Sequence, residues 1–322
     1  MILLQSLKIE NFRGIREGEI AGLTEVNILI GRNNSGKTTL IEAMHKFCQP
    51  SSGSADILGR SASRYWELVR NDTGEQTLRY KNLPTKLVQA SGEVLDAQLQ
   101  YGCRRVRSLL DMSDKSISWI RGNPPEIADK VEEFRSKVTP YRSQDLLDQN
   151  VESRYWPELL ATRKDKQLVR ILNTAFALQA ESIQLVPPNR MMLLFEDYGV
   201  PLRQLGDGAQ SAIRTLIVLE LMSNSLFLLE EPECHQHPGS LERFAAAVCR
   251  LAKEQQVQLV ISTHSAECVR AFMKGAAGAK SDAAVFHLSL TDGKQESRRL
   301  DPETVETLQE TGVDVRFLDL YG

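Results

Sequence analysis

Five residues, Val26-Asn27-Ile28-Leu29-Ile30, run straight into Gly31-Arg32-Asn33-Asn34-Ser35-Gly36-Lys37-Thr38-Thr39. An apolar run that ends in glycine, a polar loop and then Gly-Lys-Thr-Thr satisfies G-x-x-x-x-G-K-[ST], with the preceding strand that the pattern requires. Leu40, Ile41, Met44 and Phe47 follow at helical spacing, so the loop feeds a helix. A strand, a phosphate-type loop and a helix in that order commit the chain to an α/β nucleotide-binding unit. A surface glycine turn beside a lysine would explain neither flank.

The residue types match what polyphosphate demands. It packs several negative charges into a small volume, and a helix N-terminus offers unpaired N–H groups and the positive end of a dipole. Gly31 and Gly36 are expected to let the backbone turn and approach phosphate where a Cβ would clash. Lys37 supplies a mobile charge for the β and γ oxygens, and the Thr38 hydroxyl a ligand for Mg²⁺.

At 322 residues the chain suits one large domain or two modest ones. A net charge of −3 gives no global electrostatic footprint for nucleic acid, though a local patch fits within a neutral total. The densest basic run, Arg104-Arg105-Val106-Arg107, reads as a solvated face ahead of a phosphate-backbone contact. Cysteines 48, 103, 234, 249 and 268 form no C-x-x-C pair and no even framework, which favours a reducing compartment over disulfides or structural zinc. Met1-Ile2-Leu3-Leu4 is too short for a signal peptide, and no 18 apolar residues run together. The expectation is a soluble, cytoplasmic protein without a membrane segment.

Along the chain, residues 3–12 and 17–20 read as strands. After a loop at Pro50-Ser51-Ser52-Gly53-Ser54, residues 61–71 read as a short helix. Residues 76–80, 86–90 and 94–101 alternate as strands of an antiparallel sheet beside the P-loop unit, with turns at Asn82-Leu83-Pro84 and Ser91-Gly92. A further strand is expected at 115–120. Helical spacing follows at Ile127, Val131 and Phe134, again over 155–160, and at Leu168, Ile171, Leu172 and Ala175. No heptad pattern persists, so no long coiled coil is inserted.

Met191 to Phe195, the turn Asp197-Tyr198-Gly199 and Val200-Pro201-Leu202 read as a hairpin. Gly206-Asp207-Gly208-Ala209-Gln210 precedes a helix that places Ile213, Leu216, Ile217 and Leu221 on one face. Leu226 to Leu229 is a strand apolar throughout, as burial on both faces requires, and it ends in Glu230-Glu231-Pro232. A helix is expected from an N-cap at Ser240, then a buried strand over 257–262 closed by Thr263-His264-Ser265. A strand over 284–290 and a helix opening at Asp301-Pro302 complete the pass, with no room for another domain after Arg316.

Together these pieces resemble ABC-type ATPases of the OLD/RecF/SMC-like branch, often labelled AAA-family ATPases. The resemblance covers residues 1–48 and 183–275, and more weakly 300–322. Ile9-Glu10-Asn11-Phe12-Arg13 looks like the branch's opening, and Gly206 to Gln210 sits where its signature loop lies. Leu226 to Glu231 looks like Walker B, Glu233-Cys234-His235-Gln236-His237-Pro238 matches the D-loop, and His264 matches the switch histidine.

The resemblance implies one α/β domain over 1–322 with a mixed sheet. Residues 1–48 and 183–322 form its nucleotide-binding core, and 49–182 an antiparallel β subdomain with a helical insertion. It further implies ATP held by residues 31–39; Arg13 is a candidate additional nucleotide contact, with a surface role as the alternative. Mg²⁺ would be held by Thr38 and Glu230, Glu231 would activate water, and His264 would sense the γ-phosphate.

In the family two units pair head to tail through ATP, so the signature loop of one copy caps the γ-phosphate held by the other. Gly208 suits that close approach. Asp207 stands where the family usually has serine and is expected to cap the helix. The Q-loop glutamine has no clear position; Gln89 is one candidate among several. The blander readings are solvated charge for the paired glutamates, a metal site at Cys234, His235 and His237, and core or subunit-contact roles for Trp66, Trp119 and Trp156.

The absence of a Toprim-like acidic cluster in the short stretch after His264 favours an ATPase that regulates a separate effector protein, nuclease-linked and acting in phage defence. A RecF-like ATPase that closes on DNA is the alternative. The nucleotide-binding subunit of a membrane transporter and a P-loop kinase fit less well.

Overall fold

The computed structural model describes residues 4–12, 14–48, 67–70, 76–79, 87–92, 95–99, 105–106, 150–187, 190–234 and 236–320. The expected strand at 115–120, the helical spacing at 127–134, and Arg13, Trp66, Trp119 and His235 lie outside these residues.

Strands β1 (Ser6–Phe12), β2 (Ile15–Ala21) and β3 (Val26–Ile30) lead into α1 (Lys37–Cys48). Strands β4 (Glu67–Arg70), β5 (Gln76–Arg79), β6 (Leu87–Gly92), β7 (Leu95–Leu99) and β8 (Arg105–Val106) follow. Helices α2 (Asn150–Ala161) and α3 (Asp165–Phe176) precede β9 (Ser182–Val186), β10 (Arg190–Leu194) and β11 (Gly199–Pro201). Then come α4 (Asp207–Leu221), β12 (Leu226–Glu230), α5 (Pro238–Glu254) and β13 (Gln258–Ser262). The remainder is α6 (Ala266–Gly278), β14 (Ala283–Thr291), β15 (Lys294–Leu300), α7 (Pro302–Glu310) and a 3₁₀ turn (Val315–Leu320).

Nine strands form one mixed sheet in the order β12-β13-β3-β14-β15-β2-β1-β6-β7. The first four run parallel, and the β1, β2, β6, β7 end is antiparallel. Strands 87–92 and 95–99 therefore extend the main sheet, while β4, β5 and β8 make a separate three-stranded antiparallel sheet.

Every residue of β3, β12 and β13 is buried. Successive side chains point to opposite faces. Ile28, Phe227, Leu229 and Ile261 join the core under α3 to α6, while Leu29, Leu226, Leu228 and Val260 join the core with α1. Both faces are covered, which is why the strands are apolar without alternation.

Two of the four polar exceptions, Asn27 and Gln258, are tied into the backbone of neighbouring segments. Asn27 Nδ2 donates to Thr24 O and Leu259 O, and Gln258 Nε2 donates to Leu4 O and Thr24 O. Helices α5 and α6 pack closely, with Phe244 and Phe272 edge to face at 6.4 Å.

The strands expected at 76–80, 86–90 and 94–101 thus do not form one antiparallel sheet, because β5 pairs with β4 and β8 instead. Three further expectations need correction. Residues 67–70, expected as helix, pair with β5 as a strand. Ser91 and Gly92, expected as a turn, are the last paired residues of β6. The N-cap of α5 is His237, whose Nδ1 accepts from Gly239 N at 3.3 Å, and Ser240 lies inside the helix because Pro238 already supplies its first turn. Among the described residues no helix is long and apolar enough to cross a membrane.

Candidate functional site

The C-terminal ends of the parallel strands share one edge of the sheet, the edge where open α/β sheets place their ligands. β3 delivers Gly31, β12 delivers Glu230 and Glu231, and β13 delivers Thr263 and His264.

The loop between β3 and α1 is built on positive φ angles at Gly31 (150°), Asn34 (67°) and Gly36 (89°). Glycine is needed at Gly31 and Gly36 for a reason the sequence does not show. A Cβ at Gly31 would come within 2.3 Å of Leu288 O, and one at Gly36 within 2.4 Å of Gln295 Nε2. The obstruction is the protein's own neighbouring strands, β14 and β15.

Lys37 folds back inside this loop. Its Nζ donates to Gly31 O at 2.7 Å and Arg32 O at 2.8 Å, and lies 3.3 Å from Ser35 Oγ. Burial pushes the ammonium down to about 8, against the opposing pull of Glu231 and Glu233. Arg32, Asn33 and Asn34 are exposed, Ser35 is buried, Thr38 is exposed and Thr39 half-buried. Together with Leu288, Ser289, Arg298 and Leu318, residues 32–35 line a cavity of about 880 Å³ beside the loop.

Glu231 follows β12 in a left-handed conformation, φ 46°, with its N–H donating to Ser262 O at 2.8 Å. Such a conformation costs a non-glycine residue of order 1–3 kcal/mol, and strain of this kind collects at functional positions. Its Oε1 lies 3.4 Å from His264 Nε2. Burial and the nearby Lys37 charge lower the His264 imidazole below its ordinary value, which favours its neutral form.

Glu233 does more than fill a motif position. Its Oε1 accepts from Thr263 Oγ1 at 2.6 Å and from His264 N at 3.1 Å, fixing the turn that carries the histidine. Arg316, clamped on Asp314, donates from Nη1 to His264 O at 3.3 Å. Gln236 Nε2 donates to Gly208 O at 2.6 Å and so ties the D-loop to the first turn of α4. No sequence pattern pointed to the roles of Glu233, Gln236 or Arg316. They show only once distant strand ends meet.

The structure thus brings Lys37, Glu231 and His264 to one strand edge. Asp207 and Gly208 open α4, where they are joined to the D-loop through Gln236. Asp207 does not cap the helix: Gly206 is the N-cap, and Asp207 is exposed in the first turn, its charge favourable to the dipole. The side chain of Gln89, on β6, lies outside the described residues, as does Arg13. His237 is used as a helix cap.

Mg²⁺ takes oxygen ligands and is commonly held by one or two protein groups together with nucleotide phosphates. Thr38, exposed in the first turn of α1, and Glu230, 6% exposed at the end of β12, supply oxygen donors of that kind. The residues present fit such an ion.

Residues 26–270 match the family described as "AAA domain, putative AbiEii toxin, Type IV TA system". An OLD nuclease from Thermus scotoductus is 23% identical over 313 residues, covering 82% of this chain and 59% of the nuclease. The DNA replication and repair protein RecF of Salinibacter ruber is 30% identical over 100 residues, 31% of this chain and 21% of RecF. The chain thus corresponds to only part of these two longer relatives. The SMC head domain from Thermotoga maritima aligns over 92% of this chain and 99% of its own, at 13% identity and a TM-score of 0.48. The chain belongs to that AAA-domain family, as an ABC-type ATPase of the OLD/RecF/SMC branch.

Proposed function

We propose that the chain binds ATP with Mg²⁺ on residues 31–39, hydrolyses it, and closes head to tail on a second copy, thereby controlling a separate effector in the cytoplasm. The observation that carries this reading is the meeting of Lys37, Glu231 and His264 at one strand edge, from three segments more than 30 residues apart.

Each residue has a defined task. The loop amides and Lys37 hold the β- and γ-phosphates. Thr38 and Glu230 would hold Mg²⁺, which when bound neutralises developing phosphate charge. Glu231 orients a water and takes its proton. Neutral His264, held by Glu233 and Arg316, donates to the γ-phosphate. A single P-loop leaves that phosphate open to solvent, so Gly208 and the first turn of α4 from the other copy supply the missing wall.

The OLD nuclease likeness supports a nuclease-linked effector; a role in phage defence is part of the same proposal. The RecF likeness supports a second reading, ATP-dependent closure on DNA, and the two separate by whether DNA binding is ATP- and salt-dependent.

The test uses three variants. Lys37→Ala should lose ATP binding, and Glu231→Gln should bind ATP but accumulate closed dimers without turnover. Gly208→Trp should bind ATP yet fail to hydrolyse it. Mixing Gly208→Trp with Lys37→Ala protein re-forms one complete site if pairing is head to tail. Restored turnover in the mixture is the expected result. Strictly monomeric turnover, independent of dilution, would overturn the proposal.

A further inference from the structure

β15 buries a polar residue where a strand ordinarily places an apolar one. Gln295 is 4% exposed, on a strand whose other buried position is Leu300. It stands opposite Gly18 of β2, and a Cβ at Gly18 would lie 3.0 Å from Gln295 Cβ and 3.1 Å from its Oε1. On the other side, a Cβ at Gly36 would lie 2.4 Å from Gln295 Nε2. Two glycines, one in the sheet and one in the P-loop, clear a slot that the amide fills.

Inside the slot, Nε2 donates to Ser35 O at 3.2 Å. A carbonyl oxygen accepts only from a donor, so the nitrogen end of the amide must face Ser35. The Oε1 atom is buried without a hydrogen-bond partner among the described residues. Burying an amide oxygen in that way opposes folding, and leucine at this position would avoid the penalty. The packing alone gives no reason for glutamine here.

Peptide geometry supplies one. Across a trans peptide the C=O and the following N–H point in opposite directions. Holding Ser35 O toward the sheet therefore turns the Gly36 N–H away from Gln295. Gly36, at φ 89°, has the freedom to be set either way, so something outside the loop must choose.

We propose that Gln295 is a positioning residue of the nucleotide site: it fixes the Ser35–Gly36 peptide so that the Gly36 N–H meets the β-phosphate of a nucleoside di- or triphosphate. The inference rests on the P-loop reading above and assigns to a strand far along the chain the orientation of one donor in the cradle. A nucleoside monophosphate does not use that donor, which separates positioning from general support of the fold.

The full chain, its Gln295→Leu variant and its Gln295→Glu variant would be titrated with ADP and, by competition, with AMP. Leucine keeps the volume and removes the donor; a glutamic acid donates only when protonated. The expected result is a roughly tenfold fall in the ADP-to-AMP affinity ratio for Gln295→Leu, the scale of one hydrogen bond to a charged group. For Gln295→Glu, ADP affinity relative to the unaltered protein should recover as pH falls from about 8 to about 5.5, because a buried carboxyl holds its proton.

An unchanged ratio, or equal losses for ADP and AMP, would overturn the proposal. Should Gln295→Leu fail to fold, the pH response of Gln295→Glu decides, and a flat relative affinity overturns it. Failure of the unaltered protein to bind ADP would instead refute the P-loop reading, a distinct outcome.

Discussion

Raising pH from 7 to 9 should weaken nucleotide binding by a calculable amount. Burial holds the Lys37 ammonium at about 8, and Glu231 and Glu233 only partly oppose it. Phosphate brought beside that ammonium favours its charged form and pushes the value back up. Binding must then take up a proton wherever the free protein has lost one.

With a free-state value of about 8, the apparent dissociation constant scales as one plus ten to the power (pH − 8). Between pH 7 and 9 that factor grows about tenfold, roughly 1.4 kcal/mol, whereas an ordinary lysine would give a change of about 4%. His264, held below its ordinary 6.5, titrates beneath this window. Phosphate's own second ionisation, near 6, does too.

Calorimetry in EDTA, in two buffers of different ionisation heat, reads affinity and proton uptake together. Uptake should approach about 0.9 proton per nucleotide at pH 9 and about 0.1 at pH 7, and Lys37→Arg should flatten both trends. The linkage has a second consequence. The native state binds fewer protons than the unfolded chain between about 8 and about 10.4, so the stability of the nucleotide-free protein should rise across that interval. A constant affinity with no buffer-dependent heat from pH 7 to 9 would refute the reasoning.

Gly31→Ala meets both a φ of 150° and the Leu288 carbonyl at 2.3 Å. It should lower unfolding free energy by about 1–3 kcal/mol or more and abolish ADP binding, measured by denaturant titration and calorimetry. Gly275→Ala places a Cβ 2.9 Å from Ala245 O where α6 crosses α5. A loss of about 1–3 kcal/mol with unchanged ADP affinity is expected, since the contact lies in the helical layer. Glu233→Ala frees Thr263 Oγ1 and His264 N from their shared acceptor. Turnover should fall by at least about tenfold while ATP affinity stays within about threefold, because a misplaced histidine costs the reaction more than the ground state.

The elements visible in the sequence were those whose burial is apolar. β3, β12 and β13 are covered on both faces, so continuous runs such as Leu226 to Leu229 mark them without ambiguity. β15 escaped for the opposite reason: in Lys-Gln-Glu-Ser-Arg-Arg-Leu the buried positions are Gln295 and Leu300, and no alternation of apolar residues exists to be counted. β9 also went unread, although it pairs with β10 along its whole length. Residues 67–70 became a strand through pairing with β5, a tertiary effect that local spacing does not carry.

At the site, Lys37, Glu231 and His264 were legible because each sits in a short fixed pattern. Glu233, Gln236, Arg316 and Gln295 were not, because their roles depend on atoms up to 260 positions away. His237 shows the limit from the other side, a histidine just after the Glu230-Glu231 strand end that serves to begin a helix.

β3 pairs in the sheet with β13 and β14, which follow it by more than 230 residues. Chains are made from the N-terminus at about 5–20 residues per second. For most of its synthesis the Walker strand therefore emerges with neither neighbour available, and Gly31 lacks the Leu288 carbonyl against which its turn is shaped. A ribosome-held fragment ending before Ala283 carries the whole Gly31–Thr39 motif but neither β14 nor the Leu288 carbonyl that sits against its first turn.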